Sequence, residues 1–450
     1  MRYASLLALA VALSACSRPV RPNPQSLPDA SPEPATQERA EGETTDEAET
    51  VEVPVVPEVP PSTEELAPPA SVAGSSNALG FDLYAKIRSG NDNLAFSPAS
   101  VMAALAMTYG GADGATRAEM AKVLRLDPST DGASAVGQAF AGLTKQNANG
   151  LVLRMANRLF GDSKQKFEAS FLQSTARSFG APLEAMDFRK APEPARVAIN
   201  DWVAKQTEQK IQNLIPSGGV NAETRLVLVN AVYFLGKWVA AFEKDRTYPE
   251  SFHLAGGDTK KVPMMHASGH RLYGETGDVK LLELGYRDDE FAMLFVLPKA
   301  NDGLAEVEAK LSPAVLEQWA GALAGAKTDV TLPKFKIEPG APLSLTKPLI
   351  ALGMESAFDD ARADFTRMAK PGNGNDAVAI SDVFHKAFVA VDEDGTEAAA
   401  ATAVTMRATS ALIREEERKV FRADHPFLFF LRHKPTGLVL FMGRVTNPAS

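Results

Sequence analysis

His266 and His270 stand four residues apart, a spacing that on a helix would bring two imidazoles to one face as metal ligands. Gly269 lies between them and Pro263 just before them, so a helix is not expected there, and no acidic triad lies nearby. The metal reading is set aside. Gly321–Thr328 approaches the phosphate-cradling pattern G-x-x-x-x-G-K-[ST]. Ala326, however, occupies the place where glycine lets backbone amides curl round a phosphate. There is no G-x-S-x-G nucleophile elbow and no H-E-x-x-H helix. The remaining serines and histidines read as surface or core polar groups. On this reading the chain has no catalytic residue, no metal ligand and no cofactor, and is not an enzyme.

One segment is unusual. Val391–Met406 contains four consecutive alanines, Ala398–Ala401, which would suit a helix, yet no apolar stripe of useful size could face a core. Read with a period of two, Thr396, Ala398, Ala400, Thr402, Val404 and Met406 form one uncharged, mostly small face. Glu397, Ala399, Ala401, Ala403, Thr405 and Arg407 form the other, which carries both charges. No proline occurs between Val391 and Pro426, so no amide donor is missing. This is the pattern of a strand able to enter the middle of a sheet. Composition alone leaves open a solvated, alanine-rich helix or linker.

The elements that must position this segment are legible in outline. Asn77–Arg88 shows helical spacing through Leu79, Leu83 and Ile87. Ser97-Pro98 reads as a helix start, with Ser97 as cap and the apolar run Val101–Tyr109 after it. Further helices are expected over Ala118–Leu124, Phe167–Phe179 and Val197–Ile211. Strands are expected over Leu151–Phe160, Arg225–Phe234, Phe291–Leu297, Asp329–Phe335, Phe427–Arg432 and Leu438–Arg444. Helices dominate the first half and strands the second, an α+β pattern. The chain has 450 residues, 45% hydrophobic, and a single cysteine, Cys16. A wholly disordered chain, a disulfide scaffold and a multi-span membrane protein are thereby excluded.

Charge separates two regions. Residues 1–76 hold 12 acids against four arginines, whereas residues 77–450 hold 44 acids against 43 bases. The folded part is nearly neutral, so neither a nucleic-acid binder nor long-range steering toward a charged partner is indicated. Residues 17–76 contain 12 prolines and no aromatic residue, a composition that stays extended as a tether. Ahead of it, the apolar run Ala4–Leu13 reads as a secretory signal. It ends in Leu13-Ser14-Ala15-Cys16, which resembles the bacterial lipoprotein motif. That resemblance implies a signal peptide over residues 1–15, lipidation of Cys16 and a disordered tether over 16–76. With Ser17 rather than aspartate next, it implies an exported protein anchored in the outer membrane, facing the periplasm or the cell surface.

Glu393-Asp394-Gly395-Thr396-Glu397-Ala398-Ala399-Ala400-Ala401-Thr402 resembles the reactive-loop hinge of the serpins, the serine protease inhibitor family. Four more stretches are similar to that family's motifs and follow its order: Asn93–Ser100, Asn230–Trp238, Phe421–Phe427 and Phe441–Pro448. Leu235 departs from the family's frequent lysine. The resemblance covers essentially all of 77–450. It implies one α+β domain with the serpin fold: three β-sheets, eight to nine helices and an exposed reactive-centre loop. It implies an extracellular suicide-substrate inhibitor. A target serine protease cleaves the loop and forms an acyl ester, and the freed hinge inserts into the central sheet, trapping the protease covalently. The alternative is a non-inhibitory serpin acting as chaperone, carrier or protease substrate.

By the same resemblance, Gly395 and Thr396 begin the inserting hinge, followed by Glu397, Ala398, Ala399, Ala400 and Ala401. Glu393 pairs with Lys334 near Trp238. Ser97, Ser100, Asn230 and His385 form a polar cluster under the strands that open. Family loop length puts the scissile bond at Thr409–Ser410, which would suit elastase- or subtilisin-like proteases. The lengthened segment after it leaves Met406, Arg407 or Ala408 as alternatives. The protein is expected to be a monomer.

Overall fold

The computed structural model describes residues 69–144, 151–287, 289–371, 377–396 and 417–449. The chain divides into two units, Met1–Glu58 and Val59–Ser450, and every described residue lies in the second. Nine α-helices occur among the described residues: α1 (Pro69–Ile87), α2 (Pro98–Gly111), α3 (Gly114–Leu124), α4 (Gly132–Thr144), α5 (Ala169–Phe179), α6 (Pro192–Gln206), α7 (Leu304–Ala309), α8 (Pro313–Gly321) and α9 (Thr346–Ala351). The start of α1 corrects the boundary expected near Asn77. The helix begins at Pro69, and Val72 and Ala73 are buried, so folded sequence reaches back into the proline-rich segment. Proline is at home in a first turn, where its missing N–H removes no helical bond, which is why the composition concealed the helix.

The sheet that holds the hinge contains β2 (Val152–Asp162), β3 (Glu184–Met186), β4 (Leu226–Lys237), β10 (Phe335–Ile337), β11 (Leu343–Ser344), β12 (Ile380–Val391) and β13 (Gly395–Thr396). Strand β4 is its axis. It pairs antiparallel with β2 from Val152↔Leu235 to Gly161↔Leu226, and parallel with β12 from Ile380↔Leu226 to Phe388↔Tyr233. Leu226, Leu228, Val232 and Phe234 face the main core, while Val227, Val229, Ala231 and Tyr233 face a second core with Ile199 and Val203 of α6. Burial on both faces explains why β4 reads as one apolar run instead of an alternating strand.

The other strands are β1 (Leu94–Phe96), β5 (Thr247–His253), β6 (Thr259–Thr276), β7 (Val279–Gly285), β8 (Phe291–Pro298), β9 (Ala324–Pro333), β14 (Lys419–Arg422), β15 (Phe427–His433) and β16 (Leu438–Val445). They run in the order β1-β16-β15-β8-β7-β6-β9-β14. The 18-residue β6 joins two portions of this layer. Its first part pairs with β5 and its last part with β7, while β9 runs along Met264–Tyr273. The second and third sheets implied by the family resemblance are thus hydrogen-bonded through one long strand. The α+β architecture with its nine helices is otherwise as the resemblance implies. Helix α2 is buried on all sides, as its run of apolar residues with no charged face requires.

Candidate functional site

Ser97 caps α2 as its position before Pro98 predicts: its side chain accepts from the Ser100 N–H. This cap sets the first turn of α2 against the middle of the β4–β12 ladder, where His385 and Asn230 are direct register partners. His385 Nε2 accepts the Ser97 N–H at 3.0 Å, so its Nδ1 carries the proton and donates to Asn230 Oδ1. The Asn230 amide donates to the Ser100 carbonyl and, at 2.7 Å, to Asn157 Oδ1. Ser100 Oγ donates to the same Asn157 oxygen at 2.8 Å. Burial pushes the His385 imidazole down to about 3, so it is neutral at physiological pH. The four residues expected as a cluster are together. Asn157 of β2 completes them and was not anticipated. Its signal was an asparagine within an otherwise strand-like run, where that residue type is depleted.

Above this network β4 and β12 no longer pair with each other. Between their upper ends sits β13: Gly395 opposes Lys237, Thr396 opposes Gly236, and Thr396 also opposes Val391. The first two residues of the hinge therefore already lie inside the sheet. Thr396 is 2% exposed, and its hydroxyl lies 2.5 Å from that of Tyr286. Tyr286 stacks on Trp238, with ring centroids 4.6 Å apart. Gly395 is required by space: a Cβ on it would sit 1.9 Å from the Gly236 carbonyl oxygen, and its φ is +156°. The approach needs glycine on both strands, because a Cβ on Gly236 would itself strike the Tyr286 ring.

The turn ahead of β13 is tied down at every residue. Asp392 Oδ1 accepts the N–H groups of Asp394 and Gly395 at 2.9 and 3.2 Å. The Trp238 indole donates to the Asp392 carbonyl at 3.1 Å, and the Trp238 N–H donates to the Asp394 carbonyl at 3.0 Å. Glu393, buried, meets Lys334 at 2.7 Å as expected, and Lys244 meets Asp394 at 2.9 Å. Burial, the largest influence, would raise the Glu393 carboxyl, but hydrogen bonds from Lys334, its own backbone N–H and Thr247, with the Lys334 charge, together hold the group below its ordinary range. Tyr286 and Lys244 had no sequence signal as site residues, and Gly236, though inside the motif Asn230–Trp238, was not singled out, because its partner Gly395 lies far along the chain.

Glu397, Ala398, Ala399, Ala400, Ala401, Met406, Arg407, Ala408, Thr409 and Ser410 lie outside the described residues, as does Cys16. Chain description resumes at Glu417. Strand β14 then lies parallel to β9, with Arg418 reaching Asp329 at 3.0 Å. His266 and His270 lie on a strand, β6, and not on a helix; His266 stacks on Tyr248 and faces Glu250 at 3.2 Å.

The family model described as Serpin (serine protease inhibitor) matches residues 74–448. Leukocyte elastase inhibitor of Xenopus tropicalis is 38% identical over 386 residues, covering 84% of this chain and 100% of the relative. Antithrombin-III of Mus musculus is 35% identical over 398 residues, covering 87% of this chain and 84% of the relative. Among solved structures, an Arabidopsis serpin in its native stressed conformation superimposes with a TM-score of 0.75 at 30% identity. The match covers 85% of this chain and 100% of that one.

Proposed function

Because this chain belongs to the serpin family, we propose that it inhibits serine proteases as a suicide substrate. It offers no catalytic group of its own. A protease cleaves the loop between Thr396 and Glu417 and becomes acylated. The freed hinge then follows Gly395 and Thr396 between β4 and β12 and carries the protease with it. The observation that carries this reading is the position of Thr396, seated between the two strands that would have to part, with a small, proline-free sequence behind it.

The energetics support it. Insertion exchanges one parallel ladder, Ile380–Phe388 against Leu226–Tyr233, for two antiparallel ones. About ten net hydrogen bonds at ~1 kcal/mol each give on the order of 10 kcal/mol before ordering costs. That is comparable to the ~5–15 kcal/mol that holds a protease folded, so distortion of its active site is feasible. Elastase- or subtilisin-like proteases fit cleavage at Thr409–Ser410; the relatives' names agree with an elastase-type target. The leader Leu13-Ser14-Ala15-Cys16 supports export and lipid anchoring of the domain, in the outer membrane.

The test is an SDS gel after mixing the protein with a panel of serine proteases. A band at the summed mass of inhibitor and protease supports trapping. Cleaved inhibitor alone, across elastase-, subtilisin- and trypsin-like enzymes, favours the non-inhibitory alternative.

A further inference from the structure

The register of Thr396 fixes where the next residue must go once the loop is cut. Thr396 opposes Val391 on one side and Gly236 on the other, so insertion sets Glu397 between Ala390 and Leu235. Residues directly opposite each other share a face of the sheet. Ala390 and Leu235 both pack against the second core, so Glu397 arrives on that face and not on the face of Thr396. Beyond Ala390 the row continues to its register partner, Lys336 of β10. The β4–β12 ladder ends at Tyr233↔Phe388, below this row. Glu397 can therefore enter before any ladder hydrogen bond breaks.

A cavity of about 290 Å³ opens beside Ala390 on this face. Phe388 lines it, and the ammonium groups of Lys210 and Lys336 lie 6.0 and 5.4 Å from the centre of that ring. Two acids share the cavity. Asp392 is occupied with the N–H groups of the turn, and Glu338 meets Lys336 with both side chains about half exposed, a pair worth little in water. The chain after α6 carries Lys210 across the seam between β4 and β12. Glu208 meets Arg154 at 3.6 Å, and the register partner of Arg154 is Tyr233 of β4. Two residues later Lys210 stands over Phe388 of β12. Glu208 and Gln209 make the crossing with φ of 50° and 64°, a left-handed conformation that costs a residue with a side chain.

We propose that Lys210 and Lys336 receive the Glu397 carboxylate across Ala390 as the hinge enters, and so position the inserting strand before β4 and β12 part. This rests on the insertion step proposed above and adds the contact that guides its first new row. Two strand spacings separate Glu397 from Lys336, about 10 Å between Cα atoms, which two long side chains span over an alanine. Leu235, on the other side, offers the carboxylate no partner, and a carboxylate left unpaired against the second core would oppose entry.

The experiment is carbodiimide cross-linking of the loop-cleaved full chain, mapped by mass spectrometry. The reagent condenses a carboxylate and an ammonium in contact to an amide, with loss of water. Glu393 and Lys334, 2.7 Å apart, are the internal control. A link from Glu397 to Lys336 or Lys210 is expected. In parallel, the number of inhibitor molecules consumed per protease trapped should rise about threefold or more in Lys210→Met with Lys336→Met. Adding Glu397→Gln to that variant should change it no further, because the three residues share one contact; a merely structural role for the lysines would make the effects additive. No Glu397 link where the control forms, a link only to Lys237, or additive effects would overturn the proposal. A melting temperature raised by cleavage without the link sinks this contact and leaves insertion standing. The link in a protein that traps no protease sinks the inhibitory reading and leaves the contact standing. Neither rise nor link overturns both.

Discussion

Replacing Asn230 by alanine removes the centre of the network beneath the strand pair. Asn230 is fully buried, and its side chain makes three hydrogen bonds, to Ser100, Asn157 and His385. Asn157 Oδ1 keeps a donor in Ser100 Oγ. The His385 Nδ1–H is the group left without a partner, since the Ser100 carbonyl keeps its place as an acceptor in α2. A buried polar group left unpaired costs ~1–3 kcal/mol, so the change should cost about that much. Unfolding entropy of ~2.1 cal/mol/K per residue over the roughly 370 folded residues gives about 0.8 kcal/mol per degree. The melting temperature should therefore fall by ~1–4 °C. Scanning calorimetry at pH 7.5 of wild type, Asn230→Ala, Asn157→Ala and the double variant is the assay. The double variant should lose less than the sum of the singles, since the two residues share a hydrogen bond. A single-variant shift below about 1 °C, or strict additivity, would show that the network does not hold the sheet in the way its geometry implies.

Four further outcomes are expected. Thr396→Arg would force a charge into a slot where the residue is 2% exposed, so it should abolish SDS-stable complexes and leave the protein a substrate; undiminished trapping would refute insertion through that slot. His385, held down to about 3 in the fold, binds a proton more readily when unfolded, so stability present above about pH 6.5 should be lost as pH falls toward 3. A wild-type melting profile flat across that interval, matching a His385→Gln variant, would contradict the neutral assignment. Mass spectrometry of the peptide released on trapping should show a new N-terminus at Ser410; one at Ala408 would assign cleavage to Arg407 and point to trypsin-like targets. Cys16→Ser should block lipid attachment and leave the protein unprocessed or soluble, and a wild type already free in the periplasm would count against the anchor.

What the chain declares locally is what short-range chemistry fixes. The Ser97–Pro98 helix start, the apolar run of β4 and the alternating small face from Thr396 onward are each written in consecutive residues, because caps, burial on two faces and strand period act over a few positions. The family motifs carried the rest of the expectation, including the pairing of Glu393 with Lys334 and the cluster of Ser97, Ser100, Asn230 and His385. Tertiary structure alone decided what closes round them. Asn157 joins the cluster from β2, 73 residues from Asn230, and Tyr286 meets Thr396 across 110 residues. No periodicity reports contacts at such separation. The start of α1 at Pro69 escaped because composition speaks for disorder while burial of Val72 and Ala73 depends on a core assembled from distant strands. The early seating of Gly395 and Thr396 has the same origin. Their sequence permits entry into a sheet, but the gap that receives them exists only because β4 and β12 stop pairing at Tyr233 and Phe388 and a second glycine, Gly236, stands opposite.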